Sequence, residues 1–158
     1  MKYITLFAAM VLIAASSVQA QGVEFGFAGY AGYNTTTDNA MVGVGLDVEG
    51  FGQVGPVIGG AWFDIETQFE ENVTVVQIDA NLTPKYDVGD LELTVGVGIA
   101  YEHFSVSDTD VSGSNTGLNL LAGVEYEIGG INPFVRYRCS RIDENSQRTI
   151  FGGVILPF

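Results

Sequence analysis

Thr149-Ile150-Phe151-Gly152-Gly153-Val154-Ile155-Leu156-Pro157-Phe158 alternates with a period of two and stops on an aromatic ring. Successive side chains of a strand point to opposite faces, so Ile150, Gly152, Val154, Leu156 and Phe158 share one apolar face. Such a stripe has two readings: a strand buried in a soluble sheet, or a strand that shows its apolar face to lipid. The rest of the chain chooses between them.

Upstream, the same alternation recurs in segments separated by turn or loop signals, without helical periodicity. Ile131 to Ser140 sets Ile131, Pro133, Val135, Tyr137 and Cys139 against Asn132, Phe134, Arg136, Arg138 and Ser140. Before it, Leu118 to Ile128 sets Leu118, Leu120, Ala122, Val124 and Tyr126 against Asn119, Leu121, Gly123, Glu125 and Glu127. Gly129-Gly130 between them is a two-residue turn that pairs Ile128 with Ile131. Gly89-Asp90 pairs Val88 with Leu91 in the same way, which keeps the apolar faces of both hairpins on one side.

The strand from Leu91 opposes an outer row ending at Tyr101 to Glu92, Thr94, Gly96, Gly98, Ala100 and Glu102. Thr74 to Val88 opposes Val76, Ile78, Ala80, Leu82, Tyr86 and Val88 to Val75, Gln77, Asp79 and Asn81. Gly55 to Ile65 is read with Val57, Gly59, Ala61, Phe63 and Ile65 on the apolar face, although Ile58 and Trp62 fall opposite. Ala40 to Glu49 carries Asp47 and Glu49 on its small-residue face, and Val23 to Tyr33 completes eight strands. Asn34 to Asn39, Glu66 to Asn72, Ser105 to Thr116 and Arg141 to Arg148 are read as loops, and Gly52-Gln53 as a short turn.

The continuous apolar faces cannot all point into a soluble core, because the opposite faces place charges at mid-strand. Turned outward toward lipid, they make an up-and-down transmembrane β-barrel: all-β, eight antiparallel strands, closed so that every backbone group is paired. Two features not used in that assignment agree with it. Aromatics cluster at two levels, Phe25, Tyr86, Tyr126 and Phe158 near one rim and Tyr33, Phe63 and Tyr101 near the other. Pro56, Pro84, Pro133 and Pro157 all lie toward the short-turn rim, where a missing ladder donor does least harm.

Residues 1–20 begin Met1-Lys2, continue through an apolar run from Ile4 to Ala15 and end in small residues, the pattern of a secretory signal peptide cleaved after Ala20. Residues 21–158 are then the barrel domain. The formal charge of −13 excludes nucleic acid as a partner. A single cysteine, Cys139, forms no internal disulfide, and no Cys/His cluster has structural zinc spacing.

The glycine alternation of Gly43-Val44-Gly45 and Gly96-Val97-Gly98, the strand Pro133-Phe134-Val135-Arg136-Tyr137-Arg138 and the final Phe158 resemble the small eight-stranded outer-membrane barrels, the OmpA-like, OmpX and opacity-protein group. The resemblance spans residues 21–158. It implies an outer-membrane location, contact with outer-membrane lipid and lipopolysaccharide, and delivery by the outer-membrane assembly machinery. In that family a C-terminal strand ending in phenylalanine is similar to the assembly signal, which would rest here on Ile150, Val154, Leu156 and Phe158.

Three constellations bear on chemistry. His103 and Ser105 look like the His-x-Ser motif of lipid A deacylase barrels, but a triad needs a third group to orient the histidine and none is in sequence register. Asp108, Asp110 and Ser112 have the opening spacing of a calcium loop, with Asn119 where a closing glutamate should stand. Acidic loops also offer diffuse contacts to divalent cations. The third is the interior, where Arg136 and Arg138 are read as the only inward cations among Asp47, Asp79, Glu92, Glu125 and Glu127. The Gly129-Gly130 register puts Phe134 opposite Glu125 and Arg136 on its diagonal, the basis for an interior ion-pair plug. The expected protein is a monomeric, non-enzymatic envelope barrel without a cofactor. The competing readings are a narrow cation channel and a lipid A-modifying enzyme.

Overall fold

The computed structural model describes residues 22–107, 109–142 and 145–158. The expected signal peptide lies outside the described residues. Strands β1 (Glu24–Asn34), β2 (Asn39–Val54), β3 (Val57–Glu70), β4 (Val73–Leu82), β5 (Lys85–Val88), β6 (Leu91–Val106), β7 (Ser112–Tyr126), β8 (Asn132–Ile142) and β9 (Asn145–Pro157) form one antiparallel sheet. β1 pairs with both β2 and β9, so Gly29 lies opposite Val44 on one side and Val154 on the other. The sheet is therefore closed, and among the described residues no strand is left as a free edge.

Nine segments fill eight places around the ring, because β4 and β5 lie end to end between β3 and β6. The interruption is at Thr83-Pro84, where proline has no N–H to give the ladder. The flanking groups still pair: Thr83 N–H donates to the Gly60 carbonyl at 2.8 Å, and Val95 N–H donates to Pro84 at 3.3 Å.

The turns at one end hold the register expected of two-residue loops. Val88 pairs with Leu91, and Ile128 with Ile131. Gly129 and Gly130 sit at φ 57° and 90°, as a type I′ turn requires at both central positions. The connection between β2 and β3 is at Gly55-Pro56 instead of Gly52-Gln53, because the ladder shifts register between Glu49 and Gln53 and β2 runs on.

At the opposite end the expected loops are largely strand. β3 continues to Glu70, β6 to Val106, β7 starts at Ser112, and β8 and β9 run to Ile142 and from Asn145. Once both faces of a strand are polar, alternation vanishes from the sequence although the hydrogen-bonded ladder continues. Glu66 and Gln68, read as loop residues, are buried inside the barrel.

The outward row is exposed along the wall, with Ile99 at 63% and Leu118 at 67%. Inside, Ala28, Tyr30, Met41, Trp62, Leu121, Phe134, Phe151 and Ile155 form a core of interlocking rings. Trp62 is fully buried, which fixes the face of β3: Val57, Phe63 and Ile65 point outward. Gly43 and Gly45 on β2 make room for this core. A Cβ on Gly45 would stand 2.5 Å from the Trp62 ring, and one on Gly43 would run into Tyr30. A second cluster of Val23, Phe25, Leu46, Val48 and Ala61 lies on the outward parity of β1, β2 and β3, toward the short-turn end.

Candidate functional site

The lumen holds two ionic nodes around that aromatic core. Strand β8 supplies the first through Arg138, whose Nη2 lies 2.5 Å from Glu66 Oε1 and whose Nη1 bonds Asp79 and reaches Asp64 at 3.5 Å. Tyr30 donates its hydroxyl to Asp64. Gln77 Nε2 donates to both oxygens of Asp79, at 3.0 and 2.9 Å, and Asn119 Nδ2 donates to it at 2.8 Å. Asp64, Glu66 and Asp79 each offer an oxygen within 4.8 Å of the others, the spacing of a metal site. Arg138 bonds all three of these carboxylates.

The second node lies toward the short turns. Lys85 Nζ is 2.6 Å from Asp47, 2.7 Å from Glu49 and 2.8 Å from Glu92, with Glu125 at 3.6 Å. Arg136 Nη2 stands 3.5 Å from both Asp47 and Glu125. Its guanidinium lies 4.0 Å from the Trp62 ring centroid and 4.7 Å from that of Phe134, so cation–π contact holds it as much as charge does. Glu125 also accepts a 2.8 Å bond from Asn132.

Phe134 is opposite Glu125, as the turn register requires. Two other expectations need correction. Arg136 and Arg138 are not the only inward cations: Lys85, 1% exposed, is a third. It keeps the parity of Asp79 and Asn81 across the Thr83-Pro84 break, a signal present in the sequence but hidden by the change of strand. Glu127 joins neither node; it is exposed at the short-turn mouth, where with Glu24, Glu49 and Asp87 it lines a cavity of about 340 Å³. Ending β3 at Ile65 hides Glu66, whereas Asp64 falls inside it on the Trp62 face, where the mixture of apolar residues on both sides obscures which face is inward.

Ile150, Val154, Leu156 and Phe158 are exposed on the outer wall. Phe158 stacks on Phe27 with centroids 4.8 Å apart, and its N–H donates to the Phe25 carbonyl at 2.9 Å. His103 and Ser105 also face outward, but His103 Nδ1 pairs with Ser114 Oγ at 3.0 Å, and Tyr101 donates to that hydroxyl at 2.9 Å. Ser105 lies opposite Ser112. The calcium-loop reading fails at its closing position, because Asn119 is buried in the lumen on Asp79. Asp110 and Ser112 are exposed, and Asp108 lies outside the described residues.

A closed antiparallel ring with an apolar outer wall and a charged, ring-filled interior is a transmembrane β-barrel. The model of the outer membrane protein beta-barrel domain family matches residues 5–152, and the chain belongs to that family. It is an outer-membrane protein. Its fold is similar to that of Ail, the attachment invasion locus protein of Yersinia pestis, at 17% identity and TM-score 0.61, covering 86% of this chain and 96% of that one. The N-terminal β-barrel domain of Pseudomonas aeruginosa OprF is similar at 14% identity and TM-score 0.63, covering 85% and 97%. The outer membrane enzyme PagL is similar at 13% identity and TM-score 0.53, covering 87% and 100%. No curated protein matches the sequence.

Proposed function

We propose that this barrel is a non-enzymatic envelope protein, sealed by its own side chains, that meets lipid, lipopolysaccharide and surface partners through its wall and hairpin tips. The observation that supports this reading is the filling of the lumen: Trp62, Arg136, Arg138, Lys85, Phe151 and Met41 are all less than 2% exposed. An eight-stranded barrel has room for little more than its own side chains. Short turns face the periplasm in this class and longer hairpins face out. The outward tips then carry Asp38, Glu70, Glu71 and Asp110, an acidic surface suited to basic partners or divalent cations.

A second reading, a narrow cation-selective conduit, is favoured by one observation. Among the described residues Asp47, Asp64, Glu66, Asp79, Glu102 and Glu125 are buried against only Lys85, Arg136 and Arg138, which leaves the lumen short of positive charge. Planar-bilayer recording of the refolded barrel separates the two. Closed membranes support the sealed barrel, and steady cation-selective steps support the conduit.

A further inference from the structure

Outside the lumen the described residues hold two Lys or Arg side chains, Arg141 and Arg148, on a chain of net charge −13. Both lie on one patch of wall. The segment from 141 to 148 reads as a loop, but both arginines are strand residues with a defined side. Arg141 continues the outward row of Val135, Tyr137 and Cys139, and Arg148 precedes Ile150 on the outward row of β9. Tyr137 lies opposite Ile150, Cys139 opposite Arg148, and Arg141 opposite Ser146. Tyr33 flanks Ile150 on the other side.

The arginines therefore stand one and two outward steps beyond an aromatic rung. Each step is about 6.7 Å along the strand, so a tilt of ~40° leaves them roughly 5 and 10 Å above that rung. That is the depth of the headgroup layer beyond the hydrocarbon. The Arg148 backbone is held in place. Its N–H donates to Thr36 Oγ1 at 3.0 Å, and its carbonyl accepts from Thr35 N at 2.7 Å and Thr35 Oγ1 at 3.1 Å. Both side chains are exposed, and neither is ion-paired with a described residue. Asp143 and Glu144 lie outside the described residues.

Next to Arg141 across the ladder is Leu118. Leu118 is one wall of a groove on the outer surface, bounded also by Ile78, Ala80, Ile99 and Gly117 and about 480 Å³ in volume. Guanidinium groups bind phosphate with paired, charge-assisted hydrogen bonds, and the acidic tips repel it everywhere else at this end. We propose that Arg141 and Arg148 bind the anionic phosphate of a lipid headgroup in the outer leaflet, with an acyl chain of that lipid in the adjoining groove. This deepens the lipid contact of the proposed function and rests on the barrel's insertion.

The test uses the folded protein in nanodiscs of phosphatidylcholine mixed with lipid A, in the presence of EDTA so that carboxylate-bound divalent ions contribute nothing. Retained lipid is counted by native mass spectrometry after release. Wild type should retain lipid A in preference to phosphatidylcholine. Arg141→Ala and Arg148→Ala should each weaken retention about fivefold, and the pair by ~25-fold if the two act independently. Arg141→Lys with Arg148→Lys should keep most of it. Equal retention by wild type and the double alanine variant, or no preference in wild type, overturns the proposal. Heat-modifiable mobility shows in each case that the barrel is folded and inserted, so loss of this site and loss of the barrel reading are separable.

Discussion

Asp64 and Asp79 face each other directly across the β3–β4 ladder, inside the barrel. Like charges at opposed positions destabilise a sheet. They are tolerated because Arg138, two strands beyond β6 on β8, reaches across the lumen to both and to Glu66. Removing it leaves three buried carboxylates without their counter-ion. Arg138→Ala should therefore destabilise the barrel by on the order of 3–5 kcal/mol in urea unfolding. Arg136→Ala, whose ion pairs are long and whose ring contacts are shared, should lose about 2 kcal/mol. The reverse order would contradict this assignment of the two nodes.

Lys85 should behave like Arg138. Its three shortest contacts tie β5 to Asp47 and Glu49 on β2 and to Glu92 on β6. Lys85→Met keeps the length and removes the charge, with an expected loss at neutral pH of about 3–5 kcal/mol. The deficit should shrink as the pH falls, because protonation neutralises the stranded carboxylates. A deficit that stays constant from neutral to acid pH would show that the ammonium is not what they need.

Arg136 and Glu125 supply a test of coupling. Each single alanine substitution strands part of the second node, whereas the double substitution removes both ends of one contact, so its effect should fall short of the sum. With Nη2 and Oε2 3.5 Å apart, the coupling should be about 0.5–1 kcal/mol. Strict additivity would leave Arg136 held by Asp47 and the Trp62 and Phe134 rings, with no part for Glu125.

Gly45 lies beneath Trp62, and no L side chain fits there without moving the indole. Gly45→Ala should cost about 1–3 kcal/mol. Gly29, where an added Cβ meets nothing within 4 Å, should accept alanine with no measurable change. Comparable losses at the two positions would mean that the lumen is less closely filled than its geometry indicates.

Deleting Phe158 removes the ring stacked on Phe27 and the N–H bonded to Phe25. Cells carrying the truncated chain should accumulate less heat-modifiable barrel in the outer membrane. Unchanged levels would leave the terminal ring as a packing group with no part in assembly.

Much of this fold is local information. A strand's period is two and a two-residue turn allows one register, so the facing of Ile128 and Ile131, of Val88 and Leu91, and of Glu125 and Phe134 follows from sequence neighbours alone. The inside-out charge pattern follows from the same periodicity, and with it the transmembrane class. Periodicity carries nothing beyond the apolar band, where both faces are polar; Glu66, Gln68, Arg141 and Arg148 therefore read as loop although they are strand. Nor does it say who meets whom across the lumen. Arg138 and Glu66 are 72 residues apart, and Lys85 and Asp47 are 38. Those contacts exist because ring closure sets the stagger of strands that are not neighbours, and only the tertiary structure decides that stagger.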